Sequence, residues 1–130
     1  MLIEFTASAS ELHRACTRLA GQIGEIPEDE EKAIEFKVTA GRLGITVDGT
    51  AANLMADVQS AGIAFIPSTV LAGVRHMLPY FGNRTVEIGF SNGKMRVDGT
   101  VFHSREILLS SAETSERRRP SYRNRTLQTF

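Results

Sequence analysis

The sequence predicts one α+β domain in which a β-α-β-β-β unit occurs twice. The tetrapeptide Val47-Asp48-Gly49-Thr50 recurs as Val97-Asp98-Gly99-Thr100. The spacing of apolar residues predicts the same order of elements before each copy, namely strand, helix, strand and strand. We therefore predict a domain over residues 1–109, made of halves 2–58 and 61–109. Both helices are expected to pack on one side of antiparallel sheets.

The first half begins with residues 2–6, which are rich in strand-forming side chains. Ser8 or Ser10 then provides a helix N-cap, and the helix is expected to end near Ile23. Its apolar stripe, at helical spacing, is Leu12, Ala15, Cys16, Leu19 and Ile23. Residues 24–32 contain Pro27 and the acidic run 28–31, which predict an exposed loop.

After residue 33 the apolar period changes from helical spacing to two, as in a half-buried strand. Residues 34–38 and 43–47 are predicted strands, and Asp48-Gly49 predicts a type I′ hairpin turn. A third strand is expected to place Leu54, Ala56 and Val58 on one face.

The second half repeats this order. Residues 61–66 form an apolar strand, and a helix opens at Pro67-Ser68. Its apolar stripe is Val70, Leu71, Val74, Met77, Leu78 and Phe81. Pro79 predicts an irregular last turn, because proline removes a helical hydrogen bond. Strands follow at 86–90 and 95–97, and a final strand runs from Asp98-Gly99 to about Leu109.

Length and composition favour a folded cytoplasmic protein. The 130 residues are 42% hydrophobic and 23% charged, which is ordinary for a globular domain. No apolar run approaches the roughly 18 residues that a membrane span needs, and residues 1–5 do not resemble a secretory signal. Cys16 is the one cysteine, so no internal disulfide is possible.

The formal net charge of zero hides an asymmetry along the chain. Residues 1–109 carry 10 Lys and Arg against 13 Asp and Glu, whereas residues 110–130 carry 5 Arg against 2 Glu. The body is therefore mildly acidic, and residues 110–130 are predicted to form a basic C-terminal tail.

Three segments resemble one domain of the bacterial DNA polymerase III beta sliding clamp, a processivity clamp. They are residues 2–6 leading into 10–12, residues 43–50 through 54–56, and residues 66–71 followed by 84–88 and 94–97. The resemblance implies a DNA-clamp fold without catalytic activity, and a role in DNA replication. Clamp chains carry three such domains and close as a six-domain ring, so one domain implies a homo-oligomer. The clamp pocket for partner peptides is built mainly by later domains and is not carried over.

The resemblance also implies that the helices face duplex DNA through basic side chains. The helix positions opposite the apolar stripes are Arg14, Arg18, Gln22, Arg75 and His76. An equally good interpretation is an ordinary solvated helix face. The tail arginines offer further phosphate contacts, with Tyr122 as a stacking ring: Arg117, Arg118, Arg119, Arg123 and Arg125. For the tail we favour a solubilising terminus, or an arm that clasps the acidic body of a neighbour.

The sequence gives little indication of an enzyme. His13, His76 and His103 are far apart and lack a partner at metal-ligand spacing, so no metal or cofactor is expected. Cys16 lies on the apolar helix stripe and is expected in the core rather than as a nucleophile. The first hypothesis is therefore a clamp-like protein that tethers to DNA and self-associates. The second is a clamp-fold interaction protein, such as an adaptor, decoy or inhibitor of replication proteins. A small enzyme is the third.

Overall fold

The computed structural model describes residues 2–23 and 33–110, and the side chains of residues 2–20 and 33–110. The predicted acidic loop and the basic tail lie outside these residues. The described elements are β1 (Ile3–Ser8), α1 (Ala9–Ile23), β2 (Ala33–Thr39), β3 (Arg42–Val47), β4 (Thr50–Met55), β5 (Asp57–Ser60), β6 (Gly62–Pro67), α2 (Ser68–Met77), a 3₁₀ helix (Leu78–Phe81), β7 (Thr85–Ser91), β8 (Lys94–Val97), β9 (Thr100–His103) and β10 (Leu108–Ser110). The predicted α+β class is confirmed.

The strands form two antiparallel sheets of five strands each. Sheet A has the order β5-β1-β7-β8-β9, and sheet B has the order β10-β6-β2-β3-β4. The two orders are equivalent. When β1 to β5 are exchanged one by one with β6 to β10, so that β1 becomes β6, β6 becomes β1 and so on, the order of sheet A becomes that of sheet B. Each sheet thus takes two strands from one half of the chain and three from the other. The duplication itself, with halves at 2–58 and 61–109, stays a prediction.

The last strand of each predicted half is two strands in the structure. The expected strand through Leu54 and Val58 breaks at Ala56, whose N–H donates to the carbonyl of Gly41 at 3.1 Å. Its second part, β5, pairs with β1 in sheet A. The expected final strand to Leu109 breaks at a turn where the Ile107 N–H donates to the Ser104 carbonyl at 3.1 Å. Its second part, β10, then pairs with β6 in sheet B.

Period two does not reveal the first break, because the alternate residues Leu54, Ala56 and Val58 all remain on the core side after the strand changes sheet. In the second half a turn at residues 105–106 intervenes, and the core side changes from Phe102 to Ile107 and Leu109. The prediction of a continuous strand was therefore wrong in both halves. Each short strand carries the chain from one sheet to the other.

The two Asp-Gly hairpins differ in their backbone. Asp48 and Gly49 both have positive φ, 53° and 85°, as the predicted type I′ turn requires. Asp98 also has a positive φ of 50°, but Gly99 does not. The Asp98 carboxylate accepts the Glu87 N–H at 2.8 Å and ties this turn to β7. The repeated tetrapeptide therefore marks equivalent positions without imposing one turn type.

Helix α1 begins with a capping residue. The Ser8 side-chain oxygen accepts the backbone N–H of Glu11 at 3.3 Å, the relation of an N-cap to the third helical residue. Of the two candidates, Ser8 is therefore the cap. The stripe members with described side chains, Leu12, Ala15, Cys16 and Leu19, are all buried. Ile23 has no described side chain.

We expect Ser8→Ala to lower the free energy of unfolding by about 0.5–1 kcal/mol, since the Glu11 N–H at the start of α1 loses its acceptor. Urea unfolding followed by circular dichroism measures the change. Thr17→Ala is the matched control, because Thr17 is exposed inside the helix, where alanine is favourable, whereas the Ser10 hydroxyl lies 3.0 Å from that of Ser8. Equal losses in the two variants would show that Ser8 is not the cap.

Helix α2 begins directly after Pro67 and gives way to the 3₁₀ helix that contains Pro79. The expected irregular last turn is confirmed. Val70, Leu71, Val74 and Leu78 are buried, while Met77 and Phe81 are partly buried against the core. The two helices contact each other, α1 contacts β3 and β4, and α2 contacts β2 and β6. Helix α1 therefore lies against sheet B, while α2 contacts sheet B and also sheet A, where a Cβ added to Gly73 would be 2.8 Å from the ring of Phe102 on β9.

Three phenylalanines join the sheets. Phe90 of β7 packs against Phe5 of the neighbouring strand, with ring centroids 6.4 Å apart. It also meets Phe36 of sheet B edge-on at 5.4 Å. All three are fully buried, so both sheets and both helices share one core. None of the described helices is long and apolar enough to cross a membrane.

Candidate nucleic-acid interface

The exposed side of α1 carries two of the predicted basic residues. Arg14 and Arg18 are exposed, whereas the neighbouring Ala15 and Leu19 are buried. Residues four apart share one face of a helix, so the two guanidinium groups project from the same side. Burial of the apolar stripe thus fixes which way both arginines face.

The end of α2 carries the other predicted cations. Arg75 and His76 are exposed in the last turn of α2, and the buried Val74 and Leu78 hold that turn against the core. Cations in this position also stabilise the helix through its dipole. Their presence alone therefore does not identify a binding site, and the neighbouring surface must be considered.

The basic residues of the two helices line adjoining depressions. The first, which we call the α1 groove, has a volume of about 560 Å³. It is lined by Ser10, His13, Arg14, Thr17, Arg18, Leu78, Pro79 and Gly82. The second, which we call the Tyr80 hollow, has a volume of about 390 Å³. It is lined by His13, Ala72, Arg75, His76, Pro79 and Tyr80. The depressions share His13 and Pro79, so they form one continuous surface.

Four of the five predicted interface residues therefore come together: Arg14, Arg18, Arg75 and His76. The side chain of Gln22 and all five tail arginines lie outside the described residues. Sequence analysis missed His13 and Tyr80 as members of this surface. His13 directly precedes Arg14, which was a usable signal. Tyr80 reaches the surface only because the 3₁₀ helix contacts α1.

The charges on the helices differ from those on the sheets. Helices α1 and α2 carry three arginines and two histidines but one carboxylate, Glu11, in the described chain. The other carboxylates of residues 2–23 and 33–110 lie on strands or in the turns between them. The helix surface is therefore positive although the body of the chain is acidic.

On sheet A, by contrast, an arginine is neutralised locally. Arg96 on β8 contacts Glu87 of β7 at 2.8 Å and Glu4 of β1 at 3.3 Å. It reaches β1 by lying across Gly89, where an added Cβ would be 3.1 Å from the guanidinium group. Within the described residues, no side-chain hydrogen bond or ion pair engages Arg14, Arg18 or Arg75. Within the part of the chain that the structure describes, the helix arginines are thus left to contact an external anion.

Cys16 is fully buried beneath this surface. Burial raises the pKa of its thiol to about 12, and the positive charge of Arg75 opposes the shift only in part. The thiol therefore stays protonated at neutral pH, and Cys16 is a core residue, as predicted. Among residues 2–23 and 33–110, no cluster of three or more His, Cys, Asp or Glu side chains offers a metal site.

Comparison with known proteins adds evidence on the fold. No family model matches the chain, and no curated protein matches its sequence. Thirteen chains of known structure match, among them the beta sliding clamp of C. crescentus, with a TM-score of 0.61 and 15% identity. The match covers 86% of this chain and 31% of the clamp chain, so this chain spans about a third of the clamp. The similarity shows that the chain has a clamp-like fold.

Proposed function

We propose that the protein is a non-catalytic, sliding-clamp-like module of the cytoplasm that binds duplex DNA and self-associates. The largest assembly that we propose is a closed ring around the duplex. The observation that carries the proposal is the positive surface of α1 and α2, where Arg14, Arg18 and Arg75 have no described partner. The clamp-like fold supports the same assignment. A replication role follows as part of the proposal.

The chemistry of the surface suits phosphates rather than bases. Exposed arginines on a helix face attract the DNA backbone through contacts that carry no sequence information. Such contacts let a protein move along DNA, because each phosphate is equivalent to the next. A protein that holds a partner on DNA while moving along it needs contacts that are the same at every site. A protein that recognises one DNA sequence needs contacts that differ between sites.

Self-association would raise the number of these contacts. Three arginines are few for a single copy on DNA, and several copies around one duplex would multiply them. Strands β4 and β9 end sheets B and A, so each leaves one edge of its sheet available. Met55 of β4 and Val101 of β9 are 79% and 42% exposed. We propose that β4 of one copy pairs with β9 of the next.

The first experiment combines solution mass with DNA topology. We expect light scattering at micromolar concentration to give a multiple of the chain mass. We further expect retention on circular duplex DNA that is lost when the circle is cut, because an encircling protein slides off free ends. A monomer would exclude the ring. Equal retention on both DNAs would leave phosphate binding but exclude encirclement.

A second function is supported by the charge of the remainder of the molecule. Most described carboxylates lie on the sheets and their turns, and the acidic body disfavours a lone domain on DNA. The alternative is a clamp-fold protein-interaction module, such as an adaptor, decoy or inhibitor of replication proteins. Capture of replication proteins, together with no DNA retention at low salt, would select it.

A further inference from the structure

We infer that the Tyr80 hollow is a stacking site for one unpaired base, so that the protein prefers DNA in which a single strand continues from a duplex. This inference rests on the proposed function, because the phosphate backbone of the duplex would contact the neighbouring α1 groove. A surface that makes phosphate contacts alone would not show this preference for DNA with a single-stranded extension.

Tyr80 is unusual among the large apolar side chains of the described chain. Four of these are exposed, namely Leu2, Met55, Tyr80 and Val101, and Tyr80 is the most exposed at 83%. It is also the aromatic one among them. An unpacked ring on a folded surface offers a flat apolar face to a base, and every base has such a face.

The backbone segment that carries this ring is held in place by its neighbours. Leu78 is fully buried at the start of the 3₁₀ helix, and Pro79 fixes the following φ angle. The Gly82 N–H donates to the Pro79 carbonyl at 3.2 Å, and the Arg84 carbonyl accepts the Ala9 N–H at 2.9 Å. These bonds tie the turn to the start of α1. The backbone that carries Tyr80 therefore requires little ordering when a base binds.

The basic side chains around the ring complete the site. His13, Arg75 and His76 line the hollow with Tyr80 and can contact the phosphates on either side of a stacked base. His13 and Pro79 continue the surface into the α1 groove, where Arg14 and Arg18 lie. A single strand that leaves a duplex whose backbone contacts the groove would thus reach the Tyr80 ring directly.

The test compares three fluorescent DNAs by anisotropy: a blunt duplex, the same duplex with a single-stranded extension, and the single strand. We expect the wild-type protein to bind the extended duplex about tenfold more tightly than the blunt one, within the range for stacking of one base. Tyr80→Ala should remove this preference, so that the ratio of extended-duplex to blunt-duplex affinity falls to about one. Tyr80→Phe should keep it, because the ring remains. Leu2→Ala is the matched control for loss of an exposed apolar side chain, because Leu2 lines neither depression.

The outcomes separate the inference from the proposed function. Equal wild-type affinity for blunt and extended duplexes would overturn the stacking site and leave duplex binding intact. A Tyr80→Ala variant that keeps the preference would do the same. Binding to the single strand but not to the blunt duplex would support the stacking site and overturn the duplex proposal. No binding to any of the three DNAs would overturn both.

Discussion

Charge reversal of both α1 arginines, in Arg14→Glu/Arg18→Glu, is expected to weaken binding to duplex DNA by about a hundredfold or more at low salt. Each arginine that neutralises a phosphate releases a counterion, and the glutamates add repulsion from the same positions. Loss of two phosphate contacts should also reduce the slope of log K against log salt by about 1.8. Titration by anisotropy at several salt concentrations measures both quantities.

The control for this variant must change the net charge equally at another surface. Arg42→Glu/Arg105→Glu does so, because Arg42 begins β3, Arg105 lies in the turn before β10, and both are exposed. We expect a loss of less than about threefold, from long-range charge alone. If both double variants lose affinity equally, binding follows net charge, and the helix surface is not the interface. Glutamate is a helix former comparable to arginine, so α1 should persist.

The sequence contained enough information for the helices. Ser8 or Ser10 was predicted to begin α1, and burial of Leu12 and Leu19 follows from helical spacing. Positions on the opposite side had to be exposed, which is why Arg14 and Arg18 were placed correctly. Local periodicity fixes the face of a helix, whatever it packs against.

The strand changes and the Tyr80 hollow depend on contacts between distant residues. The break at Ala56 follows from a backbone bond to Gly41, and no local pattern encodes that bond. Tyr80 meets His13 only because α1 packs beside the 3₁₀ helix. Sequence periodicity describes one element at a time, so it cannot predict which side chains two elements bring together.

The largest loss of stability is expected from Phe90→Ala. Phe90 is fully buried and is the ring that contacts both Phe5 of sheet A and Phe36 of sheet B. Truncation to alanine removes buried apolar area and leaves a cavity, which typically costs about 3–5 kcal/mol. Because small domains have about 5–15 kcal/mol of stability, much of it would be lost. Urea unfolding gives the value, with Val101→Ala on the exposed edge strand as a control expected within about 0.5 kcal/mol.

The energy of the contact between Phe90 and Phe36, which joins the two sheets, can be measured separately from the rest of the core packing. In a double-mutant cycle, Phe90→Leu and Phe36→Leu each remove an aromatic ring while most of the volume is kept. We expect a coupling energy of about 0.5–1.5 kcal/mol, the usual value for an edge-on aromatic pair. Phe90 also contacts Phe5 within sheet A, and Phe5 is left unchanged. The loss of that contact occurs in the single and in the double variant, so it cancels in the cycle. Additive losses at positions 36 and 90 would mean that the sheets are held together by the wider core, and that this contact contributes no specific energy.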